Sequence, residues 1–531
     1  MRGLIATIVI LAASLVAVQS ADPADVAFET GQHDRALELY DARLKTNPDD
    51  VAALVQSGLL LSWRSEFAEA VSRYERALAL QPGHPRASLE RAKVLSWDQR
   101  FTEAVDAFRL YLDDHPDDLT ARLGLARCLS WMRRFDESRQ EFDQVLKQDP
   151  DNIDALVGTA RTYAWSGNLR GARQWFERAL TVEPRNKDAS LGLAYLYLWS
   201  GAPARADEQA WRLQRRHPTD GEVAQLTLSA ARAAAPTVVS EVERIEDTDD
   251  NELNILRVTG GVAVFPTVSL GLSYTHWDLN NRDTGADVDY LSATLGMRPA
   301  LGQSLSVTLG VDHSDNNIND ETQTDLLGGV DYAWGLDRTW QVTGAAGRQS
   351  LRYSPEITSN NIRIDYLTAG ARGRVADRWR PFVDAGYSDY SDGNNRTNLL
   401  AGFTYEWPMR SPHLFVGSTI QLMNFGENTD SGYFDPQNFV SPLINARVNG
   451  RFGSSSNTWR AAVETGVQSF ELNDIKVDNE FVVVVTGVLG FPIGRHFILE
   501  TQASWGNYAA LTTAGFESRQ LGLRLRWRGG P

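Results

Sequence analysis

Near the end of the chain, Gln520-Leu521-Gly522-Leu523-Arg524-Leu525-Arg526-Trp527 alternates between polar and apolar side chains. Successive side chains of an extended strand point to opposite faces, so this stretch has one greasy face and one cationic face. The division recurs upstream. Ile444, Ala446 and Val448 alternate with Asn445, Arg447 and Asn449, and Trp459, Ala461, Val463 and Val467 with Arg460, Glu464 and Gln468. A soluble sandwich alternates in the same way, so counting has to separate the two readings.

After Pro236 the apolar period is 2, and Gly, Asn, Asp, Ser and Pro break the chain into short stretches. Strands are expected near 237–246, 252–265, 269–279, 287–299, 304–314, 322–334, 339–353, 361–374, 379–390, 396–407, 413–424, 438–451, 458–470, 481–491, 497–508 and 515–527. That makes about sixteen, with fourteen as the alternative. An even count, tight turns after even strands (Gly335-Leu336-Asp337, Val375-Ala376-Asp377, Pro492-Ile493-Gly494) and longer loops after odd ones (279–287, 314–321, 424–438) is the pattern of an outer-membrane barrel. Closure satisfies every backbone N–H and C=O in lipid, which an open sheet cannot do. Trp277, Tyr290, Trp334, Trp340, Tyr353, Trp379, Tyr390, Trp407, Trp459, Trp505 and Trp527 near strand ends are read as interfacial girdles, with stacking on sugars as the alternative. Arg257, Arg363, Asp365, Arg447, Arg451, Arg460, Glu464, Arg524 and Arg526 are the expected lumen residues and candidate glycan contacts, although barrel interiors are polar without any ligand.

Upstream of Pro236 the period changes to that of helices. Proline recurs at Pro48, Pro82, Pro116, Pro150, Pro184 and Pro218, always 34 residues apart, and tryptophan keeps the beat at Trp63, Trp97, Trp131, Trp165 and Trp199. Between them stand a small residue (Ala70, Ala104, Ser138, Ala172, Ala206) and, one helical turn later, an aromatic (Tyr74, Phe108, Phe142, Phe176). Small and large residues on one face let neighbouring helices interlock, and the proline ends the second helix of each pair. This order resembles the tetratricopeptide repeat, a stack of helix pairs, over about residues 22 to 220, with a capping helix at 221–235. The tryptophans are expected to pack between helices, with a binding groove as the alternative. Cys128 is read as a core residue, and His33, His84, His115 and His217 as loop residues. Such stacks offer surfaces to proteins or polymers.

The first twenty residues carry Arg2, an apolar run from Leu4 to Val18 and small residues before Ala21, which reads as a secretory signal peptide. The expected domains are therefore 1–20 signal peptide, 21–235 periplasmic repeat domain and 236–531 outer-membrane barrel. Of 531 residues 42% are hydrophobic and 23% charged, a globular composition that excludes wholesale disorder. A net charge of −16 argues against nucleic acid as a partner, and a single cysteine excludes an intrachain disulfide.

An exported tetratricopeptide stack followed by such a barrel resembles the bacterial exopolysaccharide export proteins, notably the outer-membrane component of the cellulose synthase system, and the related YaiO-like outer membrane proteins. In the loop Gly432-Tyr433-Phe434-Asp435-Pro436-Gln437, the residues Gly432, Tyr433, Phe434, Pro436 and Gln437 match the Gly-Tyr-Phe-Ser-Pro-Gln segment of the cellulose-export barrel, and Asp435 replaces the serine. The loop can serve as a plug or as a glycan contact. The resemblance implies an outer-membrane pore for a secreted polysaccharide, with the repeats in the periplasm docking synthesis or modification proteins of the periplasm or inner membrane. The alternative is a non-transporting receptor, adhesin or assembly scaffold. No catalytic motif, cofactor site or metal site is expected: there is no Gly-x-Ser-x-Gly elbow, phosphate loop or His-Glu-x-x-His pair. Asx-rich stretches at 315–320 and 389–395 are read as surface loops, with loose calcium binding as the alternative.

Overall fold

The structure, a computed structural model, describes residues 22–335, 339–376, 378–409, 411–429, 431–453, 456–508 and 517–530. The signal-peptide reading of residues 1–20 and the turn residues Leu336, Asp337 and Asp377 lie outside them. Two compact units are present: Met1–Ser166 with Gly171–Ala189, and Gly167–Arg170 with Ser190–Pro531.

The 34-residue beat is a beat of helix boundaries. Two residues after each repeat proline stands an N-cap. Asp50 accepts from the Ala53 amide at 3.0 Å, Asp118 from Ala121 at 3.0 Å, Asn152 from Ala155 at 3.0 Å and Asn186 from Ala189 at 2.8 Å, each satisfying an orphan donor of the new helix. His84 does the same through Nδ1, 3.3 Å from the Ala87 amide, so it is a cap and not an idle loop residue. The first helix of each repeat ends at or next to its tryptophan, as in Val51–Trp63, Pro85–Trp97, Leu119–Trp131 and Ile153–Ser166. Two residues beyond the tryptophan the backbone turns left-handed, at Ser65 (φ 62), Gln99 (φ 60), Arg133 (φ 63) and Gly167 (φ 96). At the first three of these sites two amides close on the helix end, for example Gln99 N to Ser96 O and Arg100 N to Leu95 O, the double bond of a Schellman stop.

The second helix of each pair buries its small residue and its aromatic completely: Ala70, Ala104, Ser138 and Ala172 are 0% exposed, and Tyr74, Phe108, Phe142 and Phe176 at most 1%. Each such ring contributes on the order of 1.5–3 kcal/mol. The fit is tight enough that a Cβ at Gly158 would overlap the Phe142 ring. Cys128 is buried in the same core, and burial pushes its thiol up to about 11. The tryptophans depart from expectation: Trp63, Trp97, Trp131, Trp165 and Trp199 stay 40–52% exposed. Standing at the helix end, they are only half covered by their neighbours.

Helix gives way to strand between Ala234 and Thr237. Sixteen strands follow: β1 (Thr237–Asp247), β2 (Asn251–Phe265), β3 (Val268–Asn281), β4 (Thr284–Met297), β5 (Gln303–Asn316), β6 (Thr322–Gly335), β7 (Trp340–Ser350), β8 (Arg363–Gly373), β9 (Trp379–Tyr390), β10 (Asn395–Glu406), β11 (His413–Phe425), β12 (Gln437–Phe452), β13 (Asn457–Leu472), β14 (Ile475–Ile493), β15 (Phe497–Gly506) and β16 (Ser518–Arg528). Each pairs antiparallel with its neighbours in sequence, and β1 pairs with β16 from Thr237↔Arg528 to Asp247↔Ser518, so the sheet is a closed barrel without edges.

The alternation of short and long connections is weaker than the sequence suggests. The segment 279–287 is mostly strand, because β3 and β4 continue to a two-residue turn at Arg282 and Asp283, and β13 and β14 meet at Asn473 and Asp474. Both of the latter residues have positive φ (50 and 63), the conformation that matches a tight hairpin to strand twist. The longest connections between these strands follow β7, β11 and β15.

Candidate functional site in the barrel interior

Directly paired residues share a face of the sheet, so the register carries the exposed Leu521, Leu523 and Leu525 of β16 around the barrel. The outer wall includes Val242, Leu272, Leu291, Leu309, Leu326 (73% exposed), Leu367 and Phe481. Trp334, Trp340, Trp379, Trp459, Trp505 and Trp527 are on this outer face. Trp277, Tyr290 and Tyr390 are not girdle residues: they lie on the inner face, opposite Ile255, Thr275 and Ile364 respectively.

The inner face holds Arg257, Arg447, Arg451, Arg460, Glu464, Arg524 and Arg526. Arg363 and Asp365, for which alternation predicts the same face, are instead on the outer face with Leu367. Asp365 pairs across the strands with Arg348 at 2.6 Å, whereas the Arg363 guanidinium reaches Asp325 of the inner face at 3.2 Å, beyond the point where β7 stops pairing with β6. Alternation alone assigns residues to two faces; which face is inner depends on the register of the whole sheet.

The inner charges form cross-strand sets. Glu241 stands between Arg524 (2.6 Å) and Arg257 (3.4 Å), and Arg524 also approaches Glu500 at 3.8 Å, so the seam that closes the barrel is bridged by ions of both signs. On the far wall the Arg447 and Arg380 guanidinium groups lie 4.6 and 5.5 Å from the Phe415 ring centroid. Charge-bearing walls of this kind offer hydrogen-bond donors and acceptors to a polar solute.

Two connections fold back into the barrel. After Ser350 the chain leaves β7 and forms a short helix, Pro355–Ser359, that packs against β3, β4 and β5. Ser354 caps it, accepting from the Ile357 amide at 3.3 Å; the Ser354-Pro355-Glu356 sequence is a helix-start signal that the strand reading of this region misses. Arg352 anchors this segment through a 2.8 Å ion pair with Asp312 of the inner face, their side chains 5% and 2% exposed.

The second connection carries the family-like loop. Gly432 takes φ +84 and abuts Glu356 and Ile357, and the Asn360 side-chain amide donates to Ser431 O at 3.2 Å, so the two connections meet. Tyr433 stacks on Tyr390 (5.1 Å, 15°) and donates to Asp392 at 2.9 Å, while Phe434 meets Phe470 edge-on at 5.2 Å. Asp435, 2% exposed, accepts from the Thr429 amide and hydroxyl. Burial pushes its carboxyl above the ordinary range, against those two hydrogen bonds. Pro436 O accepts from Phe425 N, and Gln437 begins β12. From the 389–395 stretch, Asp392 and Asn394 bind this loop, Asn394 reaching Tyr433 Oη at 3.2 Å. The family-like residues are thus part of a packed cluster on the inner wall with Phe425, Phe439, Phe470 and Val482. Under the first connection a cavity of about 490 Å³ remains, lined by Trp277, Tyr290, Tyr366, Arg257, Asp312 and Arg352 among others. Among the described residues, no group of three or more His, Cys, Asp or Glu side chains is placed to hold a metal ion.

Tetratricopeptide-repeat models match residues 97–156, 133–180 and 166–230, and a second such model residues 64–118. The chain carries tetratricopeptide repeats in its N-terminal part and continues into a closed sixteen-strand antiparallel barrel. That combination fits the repeat-plus-outer-membrane-barrel export architecture which the sequence resembles, and a closed barrel with an apolar outer wall fits outer-membrane placement. No curated protein matches the chain. Among solved structures, a bacterial polysaccharide outer membrane secretin is similar over 56% of this chain and 99% of its own, at 12% identity and TM-score 0.46. A tetratricopeptide repeat protein from Parabacteroides merdae covers 39% of this chain and 81% of its own at 19% identity and TM-score 0.34. YrrB, described as having an unusual peptide-binding site, covers 31% and 86% at 23% identity and TM-score 0.30.

Proposed function

We propose that the protein is an outer-membrane pore for export of a secreted polysaccharide, and that its periplasmic repeats dock the proteins that make or modify the polymer. The observation that carries the reading is the closed barrel whose outer wall is apolar and whose inner wall carries Arg257, Glu241, Arg447, Arg460 and Arg524. Donors and acceptors on an inner wall suit a hydroxyl-rich chain, and export requires the two inward connections to move aside. The test is deletion of the gene with secreted and periplasmic carbohydrate compared. Accumulation in the periplasm is expected; unchanged carbohydrate overturns the reading.

The packed inward connections favour a second reading, a non-transporting receptor, adhesin or assembly scaffold with a filled barrel. In a planar bilayer the pore conducts ions once residues 426–436 are removed. A scaffold stays silent.

A further inference from the structure

The helical repeats carry a row of tryptophans that the barrel reading leaves without a role. Trp63, Trp97, Trp131 and Trp165 stand at the ends of the first helices of four successive repeats and are 52%, 48%, 47% and 40% exposed. One exposed apolar side chain is ordinary; four at one repeat position make a patterned surface. The first helices are neighbours in sequence order, Val51–Trp63 beside Pro85–Trp97, then Leu119–Trp131, then Ile153–Ser166. Packed helix axes lie roughly 8–10 Å apart, so the rings recur at about that interval.

Two of the rings are held by aromatic neighbours, and all four remain open. Trp63 stacks on Phe28 at 5.7 Å and meets His33 edge-on at 5.0 Å, and Trp131 leans on Phe101 at 5.2 Å. One turn before three of the tryptophans, on the same helix face, stand Lys93, Arg127 and Arg161. Each is paired: Lys93 with Glu90 at 2.9 Å, Arg127 with Asp154 of the next first helix at 2.9 Å, and Arg161 with Asp188 at 3.5 Å. The ground between the rings is therefore rich in donors and acceptors and carries compensated charge.

We infer that this row receives a neutral polysaccharide chain, each tryptophan taking the C–H face of one sugar ring while the ion-paired side chains bond its hydroxyls. The inference rests on the export reading and names the place where the repeats hold the polymer. A pyranose ring has an apolar face and a polar rim, which matches an aromatic platform set among polar groups. A repeating polymer matches a repeating surface. Paired charges leave no net attraction for an anionic chain, and the rings are separated by charged pairs, whereas a protein partner wants a continuous apolar centre.

The test is calorimetric titration of the full chain in detergent with neutral hexasaccharides: β-1,4-glucose, β-1,3-glucose and β-1,6-N-acetylglucosamine. Binding of at least one is expected. Two lost stacking contacts correspond to about a tenfold weakening, so Trp97→Ala with Trp131→Ala should weaken it by about that factor, while Trp97→Tyr with Trp131→Tyr stays within about threefold. The tyrosine pair and Trp97→Ala alone keep the test readable where the double alanine variant unfolds. Binding of none of the three hexamers overturns the inference, as does equal binding by the alanine variants, including a case in which those variants lose a co-purifying protein. Secretion separates this inference from the one it rests on. Normal secretion with the alanine variants, lost only on gene deletion, removes the receptor and leaves the pore; unchanged secretion on deletion removes the export reading.

Discussion

Gln99 holds φ 60, a left-handed conformation that puts the Cβ of an L-residue against its own backbone. Its counterparts in the repeats are Gly31, Gly167 and Gly201, where the position costs nothing sterically, and Ser65 and Arg133, where it does. Gln99→Gly should therefore stabilise the helical repeats by about 0.5–1 kcal/mol, the steric relief less the added entropy of glycine. Urea unfolding followed at the helix band checks it, and a lower midpoint contradicts it. Reading one repeat alone does not reveal the site, because a glutamine there looks like any surface residue. Aligned at the 34-residue period, the column shows its glycines and the requirement becomes legible. Asp312 and Arg352 have no such column, and 39 residues lie between them in the chain. Nothing in the sequence joins them.

The elements are legible in kind and less so in extent. The strand period is readable because an inner and an outer face demand different side chains, and the count of sixteen agrees with the barrel. The hairpin ends of β3, β4, β13 and β14 are hidden, since Asn- and Asp-rich strand tips have the composition of loops. The inward path after β7 is hidden for another reason: its destination lies on β3, β4 and β5. The Arg352–Asp312 pair fixes that element, and removing one partner of a buried pair leaves an unpaired charge at about 3–5 kcal/mol. Asp312→Ala should speed hydrogen exchange across residues 351–362, and Asp312→Ala with Arg352→Met should restore part of the protection. Unchanged exchange in the single variant would show that the apolar contacts of Ile357 and Ile362 suffice.

For the whole molecule, closure is the decisive event, because β1 has no other partner on its free side than β16, some 270 residues away. Until that seam forms, both strands are open edges. Unheated protein should therefore run as a compact band on detergent gels and shift on boiling, whereas a chain ending at residue 517 should show only the unfolded position. A folded band from the truncated chain would mean that the barrel closes without β16. Sequence by itself determined the helix-pair repeat, the switch to strands at Pro236 and the division of each strand into two faces, all of which are local periodicities set by how neighbouring side chains share a surface, and it narrowed the strand count to fourteen or sixteen, which closure of the barrel resolved. Only the tertiary structure decided that Asp365 points outward, that Arg363 starts from the outer face yet pairs with Asp325 of the inner face, that Tyr390 and Trp277 point inward, that the tryptophan row stays open, and that two connections occupy the barrel. Each of these depends on which distant segment lies opposite, and a period read along one chain carries no record of that.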